Sequence, residues 1–340
     1  MARLLPTALL AAAVFGGWYF WTNFDVEGIE SLSVKPRTGE SGDGGSDDGV
    51  PKQPPVPQGQ KTIRVATINL GPFDQQKLSK QHVVDRLAQV IRRFDVVAIQ
   101  DVRARDQGIL LEFVEQINTG ERHYDFATPP SVGREPVEQY SAFLFDRATV
   151  EIDRSTVCVV QVQDDAGRFR REPLVASFRA RGPSPKEAFT FTLVNVHTDP
   201  SRVVAELDLL DDVFRAVRDD GRGEDDVILL GDLGVDLLGG LSVDDRHLGA
   251  LGQVPNITWA ISDVPSTTRG TRLVDNLFFE RRATTEFTGR SGVVDLIREF
   301  ELSMRQAVEI SDHLPIWAEF SVYEGGQAGN VASSPENPPR

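Results

Sequence analysis

Short apolar runs recur along the chain from residue 62 to residue 321, and most of them stop abruptly at a polar side chain. Runs of this length, rich in Val, Ile, Leu and Phe and bounded by turn-forming residues, predict β-strands at 62–69, 95–100, 141–146, 174–178, 189–196, 227–231, 276–279 and 316–321. A longer period governs three other stretches. In 81–94 the residues Val84, Leu87, Ala88 and Ile91 fall three or four apart, and 109–118 and 203–218 (Val204, Leu207, Leu210, Phe214, Val217) follow the same rule, so each predicts a helix with one apolar face. No segment repeats at a fixed period. Many strands, few helices and mixed connections predict the α/β class, as a four-layered α/β sandwich in which two packed mixed sheets carry outer helices.

The ends of the chain follow different rules. Leu4 to Trp21 is an eighteen-residue run without a charge, closed by Trp18, Tyr19, Phe20 and Trp21. As a helix it is ~27 Å long, enough to cross the hydrocarbon layer. Bulky aromatics follow Gly16 and Gly17 where a small-residue cleavage site is needed, so residues 1–24 are expected to form a transmembrane anchor in preference to a cleaved signal peptide. Residues 25–60 are expected to be a linker, since six Gly, five Pro and three Ser between Ser33 and Gln60 cannot bury enough apolar surface to offset the entropy of ordering. The globular domain is placed at 61–324 and a disordered tail at 325–340, which puts the domain outside the cytoplasm on a flexible stalk.

Composition narrows the chemistry. The 340 residues carry 36 Lys+Arg against 51 Asp+Glu, net −15, and residues 61–324 alone carry 31 against 43. Such acidity argues against broad neutralisation of a nucleic-acid backbone, but a carboxylate pocket loaded with a divalent cation inverts the local sign. A single cysteine, Cys158, excludes an intramolecular disulfide framework and multi-cysteine metal sites; it reads as a small buried strand residue.

The candidate chemistry sits where strands stop. Asn69, Gln100-Asp101, His197 and Asp232 close apolar runs, Asp275-Asn276 precede Leu277-Phe278-Phe279, and Ser311-Asp312-His313 precede Leu314-Pro315-Ile316. One Asp after a strand is usually a cap or turn residue, but six such termini carrying Asn, Asp and His suggest a site at one rim of a layered α/β domain.

Several runs also resemble those of the endonuclease/exonuclease/phosphatase superfamily, and within it most closely the deoxyribonuclease I family. They are Ile99-Gln100-Asp101-Val102-Arg103, Glu138-Gln139-Tyr140, Arg171-Glu172-Pro173, Val196-His197 with Pro200-Ser201, Gly231-Asp232, Asp263 to Thr268 leading to Asp275, and Ser311-Asp312-His313, in family order across the domain. The resemblance implies metal-assisted cleavage of a phosphodiester by water. It places His197 and His313 on either side of the phosphate, with Glu138 orienting His197 and Asp275 orienting His313. It assigns Mg²⁺, or Mn²⁺ or Ca²⁺ in its place, to Asn69, Asp101, Asp232 and Asp312, since hard cations take oxygen ligands. Asp232, Tyr140 and Arg171 join the catalytic set, and Arg103, Arg171 and Asn276 are expected to touch substrate, with DNA as the leading candidate. The membrane is expected as a partner through the N-terminal helix; the chain is expected to be a monomer without a protein partner.

Two departures qualify the transfer. The superfamily has Glu where this chain has Asp101, and an Asn two residues after the Asp of Gly-Asp where this chain has Gly234, so a weakened enzyme or binding module of the same fold is the alternative reading. Asp236 is the nearest side chain that could stand in for the amide. Gly71 replaces an arginine of the nuclease relatives, and a phosphatase or phospholipid diesterase of the superfamily is the third reading.

Overall fold

The computed structural model describes residues 53–132, 139–161, 169–238 and 246–326. The expected membrane anchor, most of the linker, most of the C-terminal tail and Glu138 lie outside the described residues. No helix among the described residues is long and apolar enough to cross a membrane.

Two six-stranded mixed sheets pack face to face. The first has the order β11(Phe287–Val293), β12(Ile316–Ser321), β1(Thr62–Phe73), β2(Val96–Val102), β4(Tyr140–Asp146), β3(Tyr124–Ala127). The second runs β5(Val150–Val159), β6(Leu174–Ala180), β7(Thr190–His197), β8(Val227–Asp232), β10(Asp275–Glu280), β9(Ile257–Trp259). Each sheet contains one parallel pair, β1 with β2 and β7 with β8; the other pairs are antiparallel.

Strand alternation explains the two cores. Successive side chains of a strand face opposite sides, so Ile63, Val65, Val96, Ala98, Phe143 and Phe145 enter the space between the sheets. Their neighbours Ala66, Ile68, Val97, Ile99, Ala142 and Leu144 face outward. There they meet α1(Gln81–Ile91), α2(Gly108–Ile117) and α4(Met304–Ile310). The second sheet is covered by α3(Val203–Arg218), which turns Leu207, Leu210, Val213 and Phe214 inward. The inter-sheet core is aromatic at its centre, where Phe191 lies 4.8 Å from Phe189 and 5.7 Å from Phe178 between ring centroids.

All eight predicted strands are present, within a few residues of the expected bounds. The four unpredicted ones, β3, β5, β9 and β11, are the four sheet edges. Cys158 lies in a strand as expected, but it is exposed rather than buried, because β5 is an edge strand with a register shift between Asp153 and Cys158. At the N-terminal boundary, Pro54 is buried and its carbonyl accepts a hydrogen bond from Arg181 (2.9 Å).

One buried polar network crosses between the sheets at the end of the apolar core. Asn195 of β7 donates to the carbonyls of Ile99 (3.2 Å) and Ala142 (3.0 Å) in the opposite sheet, and its own Oδ1 receives Gln100 Nε2 (2.8 Å). Both amides are fully buried. Because Asn195 and His197 are two residues apart on one strand, they face the same way, and fixing Asn195 aims His197 at the first sheet. Replacing Asn195 with Leu takes the side-chain donor from two buried carbonyls, at ~1–3 kcal/mol for each group left without a partner, while Gln100 Nε2 keeps Thr67 Oγ1 (3.0 Å). We expect Asn195→Leu to lower unfolding stability by about 3 kcal/mol or more in a urea titration, well beyond the effect of an exposed substitution.

Candidate active site

Strand register brings the predicted rim residues together. In the second sheet His197 lies opposite Asp232 in the β7–β8 pair, and Asp232 lies opposite Asp275 in the β8–β10 pair. In the first sheet Asn69 pairs with Gln100 across β1 and β2. The Gly-Asp pair has a steric reason, because a Cβ on Gly231 would stand 2.0 Å from the Val196 carbonyl oxygen. Only glycine lets β8 lie so close to β7 at this point.

The centre of the site is the Asp232 carboxylate. Its Oδ2 accepts a hydrogen bond from Asn69 Nδ2 (2.8 Å) across the two sheets and lies 3.8 Å from Nε2 of both His197 and His313. His313 is braced from the other side, its Nδ1 meeting Asp275 at 2.8 and 3.1 Å. Ser266 Oγ donates to Asp275 (2.7 Å) and accepts from the amides of Val274 and Asp275, fixing that carboxylate in turn. Ser311 ties this half of the site to the other: its hydroxyl donates to the Asn69 carbonyl (2.7 Å) and accepts from the His313 amide (2.9 Å).

His197 is oriented differently. Arg171 Nε donates to Gln139 Oε1 (2.9 Å), which turns the amide NH₂ of Gln139 toward His197 Nδ1 (3.4 Å). With Nδ1 accepting, the ring proton sits on Nε2, directed at the Asp232 carboxylate 3.8 Å away, while the Asn69 NH₂ 3.5 Å from Nε2 donates to Asp232 instead. The amide at 139 is a site residue that the sequence reading passed over in favour of its neighbour Glu138.

The two imidazoles therefore differ in charge. Burial, reinforced by Arg171 and His313 and opposed by Asp232, pushes His197 down to about 4. Burial alone would lower His313 too, but the Asp275 carboxylate, with Asp232 and Asp312, holds it up to about 10. Asp232 itself is raised, first by burial and then by Asp275, against the pull of the two histidines and Asn69. At neutral pH the site holds one neutral ring and one imidazolium, with a carboxylate of increased proton affinity between them.

The remaining predicted residues divide into two groups. Asp101 is 6% exposed, with a left-handed backbone (φ 62°), and Arg103 forks onto both its oxygens at 2.8 and 3.2 Å. Asp312 is exposed beside Gly71, where a Cβ would lie 3.5 Å from its Oδ1 and 3.4 Å from Lys77 Nζ. Lys77 went unrecognised in the sequence. Burial lowers its ammonium to about 8 against the attraction of Asp312 and Asp101, and Nζ donates to the Leu70 carbonyl.

Two expected residues are not brought in. Tyr140 shares its strand face with Ala142 and Leu144, so alternation sends its ring into the outer core, and its hydroxyl donates to the Asp106 carbonyl (2.9 Å). Asn276 is fully buried and pins the loop at Ile261, donating to its carbonyl (2.7 Å) and accepting from its amide (3.1 Å). Neither is placed to touch a substrate. Asp236 does not stand in for a missing amide at position 234 either, because it accepts from the amides of Leu238 and Leu273. At Gly234 (φ 66°) the backbone N–H donates to Asp232 Oδ1 (2.9 Å), and a Cβ would meet Thr198 Oγ1 and Val203 Cγ2 at 2.8 Å. The slot for a side chain at 234 is already filled.

No family model matches the chain. Among curated proteins it is 28% identical to mouse (Mus musculus) deoxyribonuclease-1-like 2 over 272 residues, covering 78% of this chain and 94% of that protein. It is 26% identical to rat (Rattus norvegicus) deoxyribonuclease gamma, over 76% of this chain and 84% of the relative. Among solved structures, humanised D. rerio TDP2 superposes with a TM-score of 0.51 at 14% identity, over 76% of this chain and 98% of that one. An endonuclease/exonuclease/phosphatase family protein from Bacteroides thetaiotaomicron superposes at 0.50 and 14%, over 76% and 97%. Deoxyribonuclease-1-like proteins are homologues of this chain. Its fold is that of the endonuclease/exonuclease/phosphatase family, and the aligned length spans nearly all of the deoxyribonuclease-1-like 2 relative.

The opposite charge states of the two rings are measurable. In metal-free protein the His313 ring should keep its proton until the pH approaches about 10, and His197 should gain one only near about 4, read from their NMR ring resonances. Because the folded value of His313 lies above its ordinary 6.5, its pairing with Asp275 adds stability in full below that pH and loses it as the pH rises through about 10. Asp275→Asn should bring the His313 titration well below about 10, since the largest charge opposing burial is then gone and only Asp232 and Asp312 remain to hold the ring up.

Proposed function

We propose that the protein is a metal-dependent phosphodiesterase that nicks DNA, with Asp232, His197 and His313 acting on one phosphate. The observation that carries this reading is the convergence of both imidazole Nε2 atoms on a single oxygen of Asp232, each 3.8 Å away. In-line attack of water on a phosphodiester needs a proton acceptor beside the nucleophile and a proton donor beside the leaving oxygen on the opposite face of the phosphorus, and side chains that border one shared space can flank a phosphate in that way. Homology to proteins named deoxyribonucleases supports DNA as substrate.

His313, charged and held by Asp275, is the donor to the departing oxygen. Asp232 is the acceptor for the proton of the attacking water, because burial and Asp275 raise its proton affinity. His197, neutral with its proton on Nε2, donates a hydrogen bond into the same space and is kept in that tautomer by Gln139 and Arg171. Arg103 and Arg171 supply positive charge at the mouth of an otherwise acidic domain, which suits a polyanion held locally by its phosphates.

A hard divalent cation of the Mg²⁺ type fits the rim beside these groups. Asn69, Asp101 and Asp312 each carry a side-chain oxygen, and the Asp101 and Asp312 carboxylates both attract the Lys77 ammonium, although burial outweighs them and lowers it to about 8. These three residues would hold the ion, and when bound it would offset the charge that grows on the phosphoryl oxygens. The weakened-enzyme reading keeps Asp101 and Gly234 as its grounds: Thr198 and Val203 occupy the space a side chain at 234 would take, but neither supplies an amide there. The uncharged run at 4–21 would display the domain outside the cytoplasm.

Purified full-length protein should nick supercoiled plasmid in Mg²⁺ or Mn²⁺ and stop in EDTA. His313→Ala and Asp232→Asn should each cut the rate by ~10²–10⁴ in protein whose circular-dichroism spectrum is native; His313→Ala, which leaves the buried Asp275 without its cationic partner, should also lower the unfolding midpoint. Undiminished nicking by His313→Ala, or nicking that persists in EDTA, contradicts the reading.

A further inference from the structure

At the opposite end of β8 from Asp232, ~20 Å along the strand, lies a second concentration of carboxylates. Asp226 immediately precedes β8, Glu286 immediately precedes β11, and Glu324 follows β12, so three chain segments from both sheets meet there. Asp226, Glu286 and Glu324 each bring a carboxylate oxygen within 4.8 Å of the others, and Glu224 and Asp225 adjoin Asp226. Asp226 and Glu286 are each only 2% exposed, while Glu324 opens to solvent.

The hydrogen bonding is one-sided. Glu286 Oε1 accepts from the Gly325 amide (2.6 Å) and the Thr285 hydroxyl (3.4 Å), and Glu324 Oε2 accepts from the Thr190 amide (3.1 Å). No hydrogen bond of ordinary geometry reaches Asp226 Oδ1 or Glu286 Oε2, both buried; the buried Thr284 hydroxyl lies close enough to Asp226 to stabilise its carboxylate, and Glu286 Oε2 has no such neighbour among the described residues. No described basic residue forms an ion pair with any of these carboxylates; the nearby Arg218 is engaged by Asp219 and Glu280. A buried carboxylate oxygen that no donor reaches is costly, and several within one small space compound the cost. Backbone amides hold Glu286 and Glu324 from one side, and one carboxylate oxygen of each lies within 4.8 Å of one of Asp226.

We propose that Asp226, Glu286 and Glu324 form a binding site for a calcium-type divalent cation, separate from the catalytic rim, that clamps the starts of β8 and β11 to the end of β12. The donors are oxygen only, they come from flexible acidic side chains plus a hydroxyl, and one side is open to water, which suits the irregular six- to eight-oxygen shell of Ca²⁺ better than a strict octahedron. The competing occupant is a proton: burial, with Glu286, Glu224 and Glu324 nearby, pushes Asp226 up to about 9. A proton satisfies one oxygen, whereas a cation satisfies all that converge.

Chelator-treated full-length protein titrated with CaCl₂ separates the two. Calcium bound per chain and the unfolding midpoint are measured for wild type, Asp226→Asn/Glu286→Gln, Asp312→Ala and Glu324→Gln. The proposal predicts that wild type binds one ion more than the double variant and that its midpoint rises with Ca²⁺. The double variant should lose that rise while nicking plasmid in Mg²⁺ like wild type, and Asp312→Ala should keep it. Glu324→Gln, an exposed change, should weaken the affinity roughly tenfold or more. Equal stoichiometry in wild type and the double variant, or a wild-type midpoint indifferent to Ca²⁺, overturns the proposal; wild type that shows no Ca²⁺ response while the double variant is more stable in chelator assigns the place to a shared proton.

Discussion

The amide bridge from Asn195 to Ile99, Ala142 and Gln100 is the constraint on which the rest of the molecule depends. Apolar packing between two sheets is non-directional and tolerates sliding; hydrogen bonds in a dry interface do not. The bridge sits where the aromatic centre of the sandwich gives way to the polar rim, so it sets how the ends of β1 and β2 face the ends of β7 and β8. Asn69 can then reach Asp232 from the opposite sheet at 2.8 Å, and His197, two residues beyond Asn195, can only point into the same space. Catalytic geometry is thereby tied to the packing of the core rather than to loops.

Given that frame, charge distribution does the rest. Two carboxylates, Asp232 and Asp275, stand side by side in register with almost no exposure, an arrangement that is stable only if positive charge is supplied. His313 supplies it, taking Asp275 as a direct partner and Asp232 as a more distant one. The second ring cannot follow, because a further buried charge beside Arg171 and His313 is disfavoured, and His197 stays neutral. The difference between two chemically identical side chains thus comes from their partners: a carboxylate behind one, an amide behind the other.

Most of this was legible in the sequence, and what was not has physical causes. Interior strands such as β2 and β8 are covered on both faces and write continuous apolar runs. The edge strands are half-solvated or contain glycine, as in the Phe287–Val293 strand, and blend with loops. Asn69, His197, Asp232, Asp275 and His313 stood at strand ends and were found there. Tyr140 and Asn276 occupy equally suggestive positions but face the outer core and a loop, a choice made by strand parity that a motif does not display. Gln139 and Lys77 carried no signal: one is a neutral amide next to a more conspicuous glutamate, the other a lysine in a short helix whose burial follows from tertiary packing. Gly234 read as a loss, yet its neighbours Thr198 and Val203 fill the space and its own N–H supports Asp232.

The division of labour between His313 and Asp232 is tested most directly by changing the leaving group. A phosphodiester that releases p-nitrophenolate departs without needing a proton, whereas DNA releases an alkoxide that needs one. If His313 is the donor, His313→Ala should lose ~10²–10⁴ in rate on DNA but remain within about tenfold of wild type on the p-nitrophenyl ester, while Asp232→Asn loses activity on both. An equal loss for His313→Ala on the two substrates would contradict the account.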